Sequence, residues 1–421
     1  MRKSVALGPV ALLALAVLTA CSPGASSGSP GASSGTETLS VYLIASEDAA
    51  VQRYDDVIAK FEDANPNIKV EATYPGADYE TLLKTQMAAN DLPDVFQTHG
   101  WTKARYQPYL LDLSDSSWAG DVAPEILPLV TGDNGELLAL PISQDKQGIN
   151  VNIDILTEYG IEVPSTWDEF VEAAKTVKEK SGGEITPIHL AGGDSWPIGA
   201  FYNWLAIPTL VSAEDNQTEE LLDGSFDWSK WDFVSQQLKD LQTEGLLNVD
   251  AVTAKYVDSA QMLSEGKVAF TFYGQGVVTE VARLNPDIKL QMMPIPSVHP
   301  GDTPTWSGGE RDTLGIWKDS DHLDAAKKFV DFFAQPESVE AIIGDSPILP
   351  ALTTVTAVDG DAYTTTDESI RIMPAFDREY FPGGMWDVMC ANGQELLAGG
   401  ETVPQVSENT KVEYLRLRDA G

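Results

Sequence analysis

Cysteine and histidine are scarce in this 421-residue chain, with two of the first and four of the second. Cys21 closes an N-terminal apolar stretch, which leaves Cys390 with no partner in the body, so no disulfide framework is expected. A chain of this length holds itself together with large apolar cores instead. The histidines stand at 99, 189, 299 and 322 with no metal-ligand spacing, and neither an HExxH motif nor a phosphate-cradling P-loop occurs. No metal and no cofactor are expected. Basic residues are also few, 27 against 64 acids, for a formal net charge of −37. Such a field repels nucleic acid and anionic lipid, and both are excluded as partners. No apolar run reaches the roughly 20 residues that a spanning helix needs.

What is present begins with an address. Arg2 and Lys3 precede a short run of small and apolar residues from Val5 to Val17, the pattern of a secretory signal over 1–20. Its end, Leu18-Thr19-Ala20-Cys21, resembles the lipobox of bacterial lipoproteins, in which the cysteine carries diacylglycerol and becomes the mature N-terminus. Ser22 to Gly28 reads SPGASSG, and Ser29 to Gly35 repeats it. With nothing to bury, 21–35 is expected to be a lipid-bearing flexible tether with a reach of roughly 20 Å. This places the body at the outer face of the cytoplasmic membrane, on a Gram-positive cell surface, touching the membrane through its lipid alone.

From Thr36 onward the chain is too long for one core, so two domains are expected. Strand-like and helix-like segments alternate: 38–45, a helix over 52–64 with Tyr54, Val57, Ile58 and Phe61 on one side, a strand over 68–74, a helix over 79–90, and a strand over 94–98. This is βαβαβ, the pattern of a parallel sheet covered by helices. Thr166 and Glu169 form a capping box ahead of a helix reaching Lys180. GKVAFTFY over 266–273 reads as another strand, and 323–333 as another helix.

Ligands of open parallel sheets bind beyond the carboxyl ends of the strands. That rule nominates Ser46 and Glu47 after the first strand, His99 and Trp101 after the third, and Gln275 after the strand ending at Tyr273. Amides, carboxylates, an indole and bare backbone suit a polyhydroxyl ligand, because sugars offer apolar faces to aromatic rings and hydroxyls to planar partners.

FEDANPNIKVEATY, DYETLLKTQMAANDLPDVFQT, GINVNIDILTEYGIEVPSTWDEFVEAAKTV, SEGKVAFTFYGQGVVTEV, WSGGERDTLGIWKDSDHLDAAKKFVDFFAQPES and SPILPAL follow one another from about residue 39 to 352. In that order they resemble the family 1 extracellular solute-binding proteins, the sugar receptors of ABC importers, which include the maltose-binding protein. The resemblance implies an α/β fold of two lobes, each a mostly parallel sheet flanked by helices, with a hinge between. It maps the first lobe to 36–145 plus 288–345 and the second to 146–287 plus 346–421. A neutral sugar, an oligosaccharide where several tryptophans line the cleft, would bind between the lobes, and a monomer would deliver it to membrane permease subunits. Carried over, the family's ligand positions fall on Gln97, Asp145, Trp196, Trp204, Tyr273, Gln275, Trp306, Gly308, Gly309, Glu310, Arg311 and Trp386. Trp167, Trp228, Trp231 and Trp317 are expected to pack in cores.

Two other function classes remain open at this point. A secreted, acidic, tryptophan-rich chain also fits a glycoside hydrolase with two carboxylates flanking the scissile bond. The acid excess equally suits a receptor for a polyamine or a peptide. The ordered segments favour a sugar receptor without enzyme activity.

Overall fold

The computed structural model describes residues 36–45, 48–98, 100–344, 348–356, 362–367 and 369–420. Cys21 and the tether therefore lie outside the described residues, as do Ser46, Glu47 and His99.

Two large apolar cores, each with a smaller cluster beside it, underlie the two lobes. The first gathers Leu39, Phe61, Val95, Ile316 and Phe329, with Phe329 and Phe333 in contact at 4.3 Å between ring centroids. The helix Asp48–Ala64 buries Tyr54, Val57, Ile58 and Phe61, the stripe read from its spacing. The second core gathers Phe170, Phe201, Trp231, Phe270 and Phe272, and it holds Trp167 and Trp228 as well. The helix Trp167–Lys180 carries the expected capping box, in which Thr166 accepts from the Glu169 N–H and Glu169 reaches back to the Thr166 N–H.

Three sheets organise the chain. The first runs in the order Ile68–Thr73, Glu37–Tyr42, Val95–Gln97, Thr313–Ile316, Leu140–Pro141. Its first three strands are parallel, as βαβαβ requires, but Thr313–Ile316 enters antiparallel. The second sheet, Thr186–His189, Val268–Thr271, Ile149–Asn152, Leu290–Met293, has one parallel pair and two antiparallel ones. Both sheets are thus mixed rather than mostly parallel. Strands that return from the other lobe enter from the opposite end, so they run against their neighbours.

The third sheet joins the lobes. Ser143–Gln147 pairs antiparallel with Trp306–Glu310, Ile372–Pro374 adds alongside it in parallel, and Leu349–Pro350 caps the other edge. These crossings interleave the two lobes along the chain. Leu290–Met293 belongs to the second lobe's sheet although it falls after 288. Ala351, Leu352 and Val355 fall after 346 yet pack in the first core. Apolar strands of both lobes carry the same pattern, so periodicity gives no sign of which sheet a strand will join. Among the described residues no helix is long and apolar enough to cross a membrane.

Candidate functional site

A cleft of about 550 Å³ opens where the two lobes meet the joining sheet. Its floor is backbone and short polar side chains. Asp145 and Gln147 come from one crossing strand, Ser307 and Gly308 from its antiparallel partner, with Gly308 opposite Lys146 and Gly309 opposite Asp145. Gly308 is required by the pairing itself, because a methyl there would run into the Asp145 carbonyl and the Ile372 side chain.

Asp145 is aimed rather than loose. Arg311 Nη1 donates to its Oδ1 at 3.0 Å, and Arg311 Nε also lies 3.6 Å from Asp312 Oδ2. Asp145 draws the Arg311 guanidinium further toward its charged form. Arg311 therefore stands behind the cleft acid.

The first lobe supplies a charged wall. Trp101 and Arg105 follow the strand Val95–Gln97, and Arg105 lies 4.4 Å from the Trp101 ring centroid. The same guanidinium pairs with Glu80 on the helix Tyr79–Ala89, where Lys84 also faces the cleft. One face of Trp101 is thus covered by a cation and held in place.

The second lobe supplies an aromatic wall. Trp196, Ala200, Asn203 and Trp204 share one face of the helix Trp196–Leu210, at the i, i+4, i+7, i+8 spacing. The chain enters this helix through Ser195 at φ +59°, one of two non-glycine residues with positive φ among those described. Tyr273 leans on Trp196 with ring centroids 5.7 Å apart. Trp386 and Asp387 lie at the start of the helix Met385–Ala398, and the short helix Phe376–Tyr380 adds Asp377 and Arg378. The Asp377 N–H donates to Asn203 Oδ1 at 2.9 Å, and burial pushes the Asp377 carboxyl up, opposed by Arg378.

Of the expected ligand positions, Trp101, Asp145, Trp196, Trp204, Tyr273, Gly308 and Trp386 are brought together in this cleft. Six others among the described residues sit elsewhere. Gln97 is an internal strut, 1% exposed, accepting from the Ile44 N–H and donating to Tyr54 Oη at 2.9 Å. Gln275 is 4% exposed and donates to Tyr363 Oη at 2.8 Å, one layer behind Gln147. Trp306 is buried edge-on against Tyr363, with the Lys146 ammonium 4.8 Å from its ring. Arg311 acts through Asp145. In each case a polar or aromatic side chain at a strand end is taken up by a partner inside the fold.

Gly309 and Glu310 border a smaller notch with Gly100, Lys103 and Arg378. Burial pushes the Glu310 carboxyl up to about 7, against the pull of Arg378 and of the Thr102 N–H and hydroxyl. The native state thus holds a proton that the unfolded chain, with a carboxyl near about 4.3, releases. Stability from this group is full below about pH 4 and is lost as pH rises through 7, by on the order of 3–4 kcal/mol. Glu310→Gln is expected to abolish that decline and to melt above the parent at pH 8. Thermal unfolding at pH 5 and pH 8 tests this, and a variant less stable than the parent at both values refutes it.

Glu80, Lys84, Arg105, Gln147, Asn203, Asp377, Arg378 and Asp387 line the cleft without a sequence signal that singles them out. The helix Trp196–Leu210 is apolar on all sides, and all but its first residue are buried, so Asn203 is its one detectable oddity. Among the described residues no cluster of three or more His, Cys, Asp or Glu is placed to hold a metal ion.

A two-lobed α/β body with an aromatic, carboxylate-bearing cleft has clear relatives. The chain is 39% identical over 413 residues to the melibiose/raffinose/stachyose-binding protein MelE of Bacillus subtilis, covering 97% of this chain and 96% of that one. A binding protein of Bacillus subtilis solved in an open conformation is 39% identical, with a TM-score of 0.87 over 92% of this chain and 99% of that chain. A sugar transporter protein of Bacillus licheniformis solved in complex with stachyose is 40% identical, with a TM-score of 0.79 over 90% of this chain and 100% of that chain. The pattern of the bacterial extracellular solute-binding proteins matches residues 45–340. The chain belongs to the bacterial extracellular solute-binding protein family.

Proposed function

We propose that this chain is the extracellular receptor of an ABC sugar importer and takes neutral galactosyl oligosaccharides of the melibiose, raffinose and stachyose series. The cleft carries the reading. Trp101, Trp196, Trp204, Tyr273 and Trp386 face one space with Asn203, Asp145, Asp377 and Asp387. Rings take the apolar sugar faces, and fixed amides and carboxylates take the hydroxyls. The volume of about 550 Å³ lies within the roughly 300–1,000 Å³ range of ligand pockets. The identity to MelE supports the galactoside series in particular. Cations and acids are mixed along the walls, which suits an uncharged ligand better than a polyamine.

Ligand bridging the charged wall and the aromatic wall would draw the lobes together about the joining sheet. Closure is driven only by contacts that improve in the closed state. The closed form is what the permease would read. Titration calorimetry with melibiose, raffinose, stachyose, maltose and spermidine tests the assignment. Tight binding of the galactosides without turnover supports it. Binding of spermidine or peptides alone refutes it, and release of free galactose by the pure protein indicates a hydrolase.

The proposed location follows from the N-terminus, where a lipid on Cys21 and the 22–35 spacer would keep the receptor at high local concentration beside its permease. Cys21→Ala is expected to appear in the medium rather than in the membrane fraction, with raffinose affinity unchanged. A released variant that has lost binding would overturn the separation of tether from site.

A further inference from the structure

Tyr273 faces the cleft with its ring, but its hydroxyl is turned the other way. Oη lies 2.6 Å from Nδ1 of His189 and 3.3 Å from Oγ of Ser259, and the Ala191 N–H also donates to it. The residue is 5% exposed, its ring stands edge-on to Tyr256 at 5.2 Å, and Trp196 leans on both. A phenol has one proton to give and lone pairs for two donors. Ala191 is a donor only, and Ser259, whose Oγ also lies 3.4 Å from the Lys255 carbonyl and from His189 Nδ1, is placed at 3.3 Å to give Tyr273 the second proton. With Ser259 donating in this way, the phenol proton goes to His189 Nδ1, and the imidazole is neutral with its hydrogen on Nε2.

We propose that His189 is a positioning residue for sugar binding: by accepting the Tyr273 proton it holds the phenol inward, so that ligand meets Tyr273 only as a ring and Trp196 keeps its orientation. This rests on the sugar-receptor reading. Protonation would put two donors face to face, His189 Nδ1–H and Tyr273 O–H, and the phenol would have to turn its proton toward Ser259. Burial already favours the neutral imidazole, while Asp250 and Asp258 pull the other way. On the facing helix Tyr256–Ser264, Asp258 is the acidic residue, and just ahead of that helix Lys255 is neutralised by Asp194 at 2.8 Å. Ligand binding, which needs the neutral form, should therefore release a proton in acid.

The test is raffinose affinity by calorimetry from pH 7.5 to pH 5, run in the Glu310→Gln background so that Glu310 does not titrate. The His189 parent is expected to weaken about fivefold toward pH 5. His189→Asn places an amide oxygen where Nδ1 stood, so its affinity at pH 7.5 should stay within about threefold and its profile should be flat. His189→Ala should lose about tenfold at pH 7.5, the loss of one buried hydrogen bond. An Asn variant that keeps the parent's acid slope, or an Ala variant that matches the parent at pH 7.5, overturns the proposal. Histidine ring nitrogen NMR reads the tautomer with no sugar present. A hydrogen on Nε2 at pH 7.5 supports the assignment and one on Nδ1 overturns it. Failure of the parent to bind any sugar sinks the receptor reading, and the tautomer then decides the hydrogen bond by itself.

Discussion

Trp386→Ala is expected to weaken raffinose binding about a hundredfold while lowering the unfolding temperature less than emptying a fully buried tryptophan site would. The ring lies at the start of the helix Met385–Ala398 and lines the cleft. Its back rests on Gly199, where an added Cβ would come within 3.0 Å of Cζ2 and 3.1 Å of Cε2. Glycine at 199 thus lets the indole lie flat against the helix Trp196–Leu210, fixed before ligand arrives. A buried aromatic anchor of this kind contributes about 3 kcal/mol, two decades in affinity. Trp386→Phe, which keeps a flat face, should recover most of the loss. Gly199→Ala should displace the Cys390 thiol, 2.6 Å from the added Cβ, and the indole beside it, and weaken binding with the tryptophan still present. Calorimetry on the three variants checks the claim, and a loss under about threefold for Trp386→Ala means that sugar does not stack there.

Trp231→Ala is the substitution expected to cost the most stability, about 3–5 kcal/mol, the usual range for emptying a packed tryptophan site. Trp231 is 0% exposed, stacks on Tyr202 at 5.7 Å with the planes 11° apart, and touches Phe376 and Phe381. Phe376 begins the short helix that carries Asp377 and Arg378 to the cleft, so the cavity should propagate to the site. Both a lower melting temperature and a weaker raffinose affinity are expected. If scanning calorimetry finds stability reduced while affinity is intact, the cluster supports the lobe but not the site.

The local features were legible where one physical rule acts over a short span. Tyr54, Val57, Ile58 and Phe61 fall on one helical face by their spacing alone, and Thr166 with Glu169 forms its cap from neighbouring atoms. Trp101 could be nominated because the loops after strands converge at the cleft, and Tyr273 because the family resemblance points to it. Gln275 obeys the same rule in sequence, and Gln97 and Trp306 are offered by the family resemblance, yet all three turn inward, because Tyr363, Ile44 and Lys146, far along the chain, offer them partners. Asp377 and Arg378 carried no mark at all. They matter because Trp231 and Phe376 pack their helix against the second lobe beside Asn203.

The sequence by itself determined the repeat over 22–35, the alternation of strands and helices and the family. Each depends on composition, periodicity or ordered short segments, which survive without knowing what touches what. Tertiary structure alone decided which lobe each returning strand joins, which tryptophans face the cleft, and that the Tyr273 hydroxyl points at His189. Those outcomes depend on contacts between residues a hundred or more positions apart in some cases and across a fold layer in all. No local pattern encodes them, because a buried polar side chain is directed by whichever distant partner satisfies it.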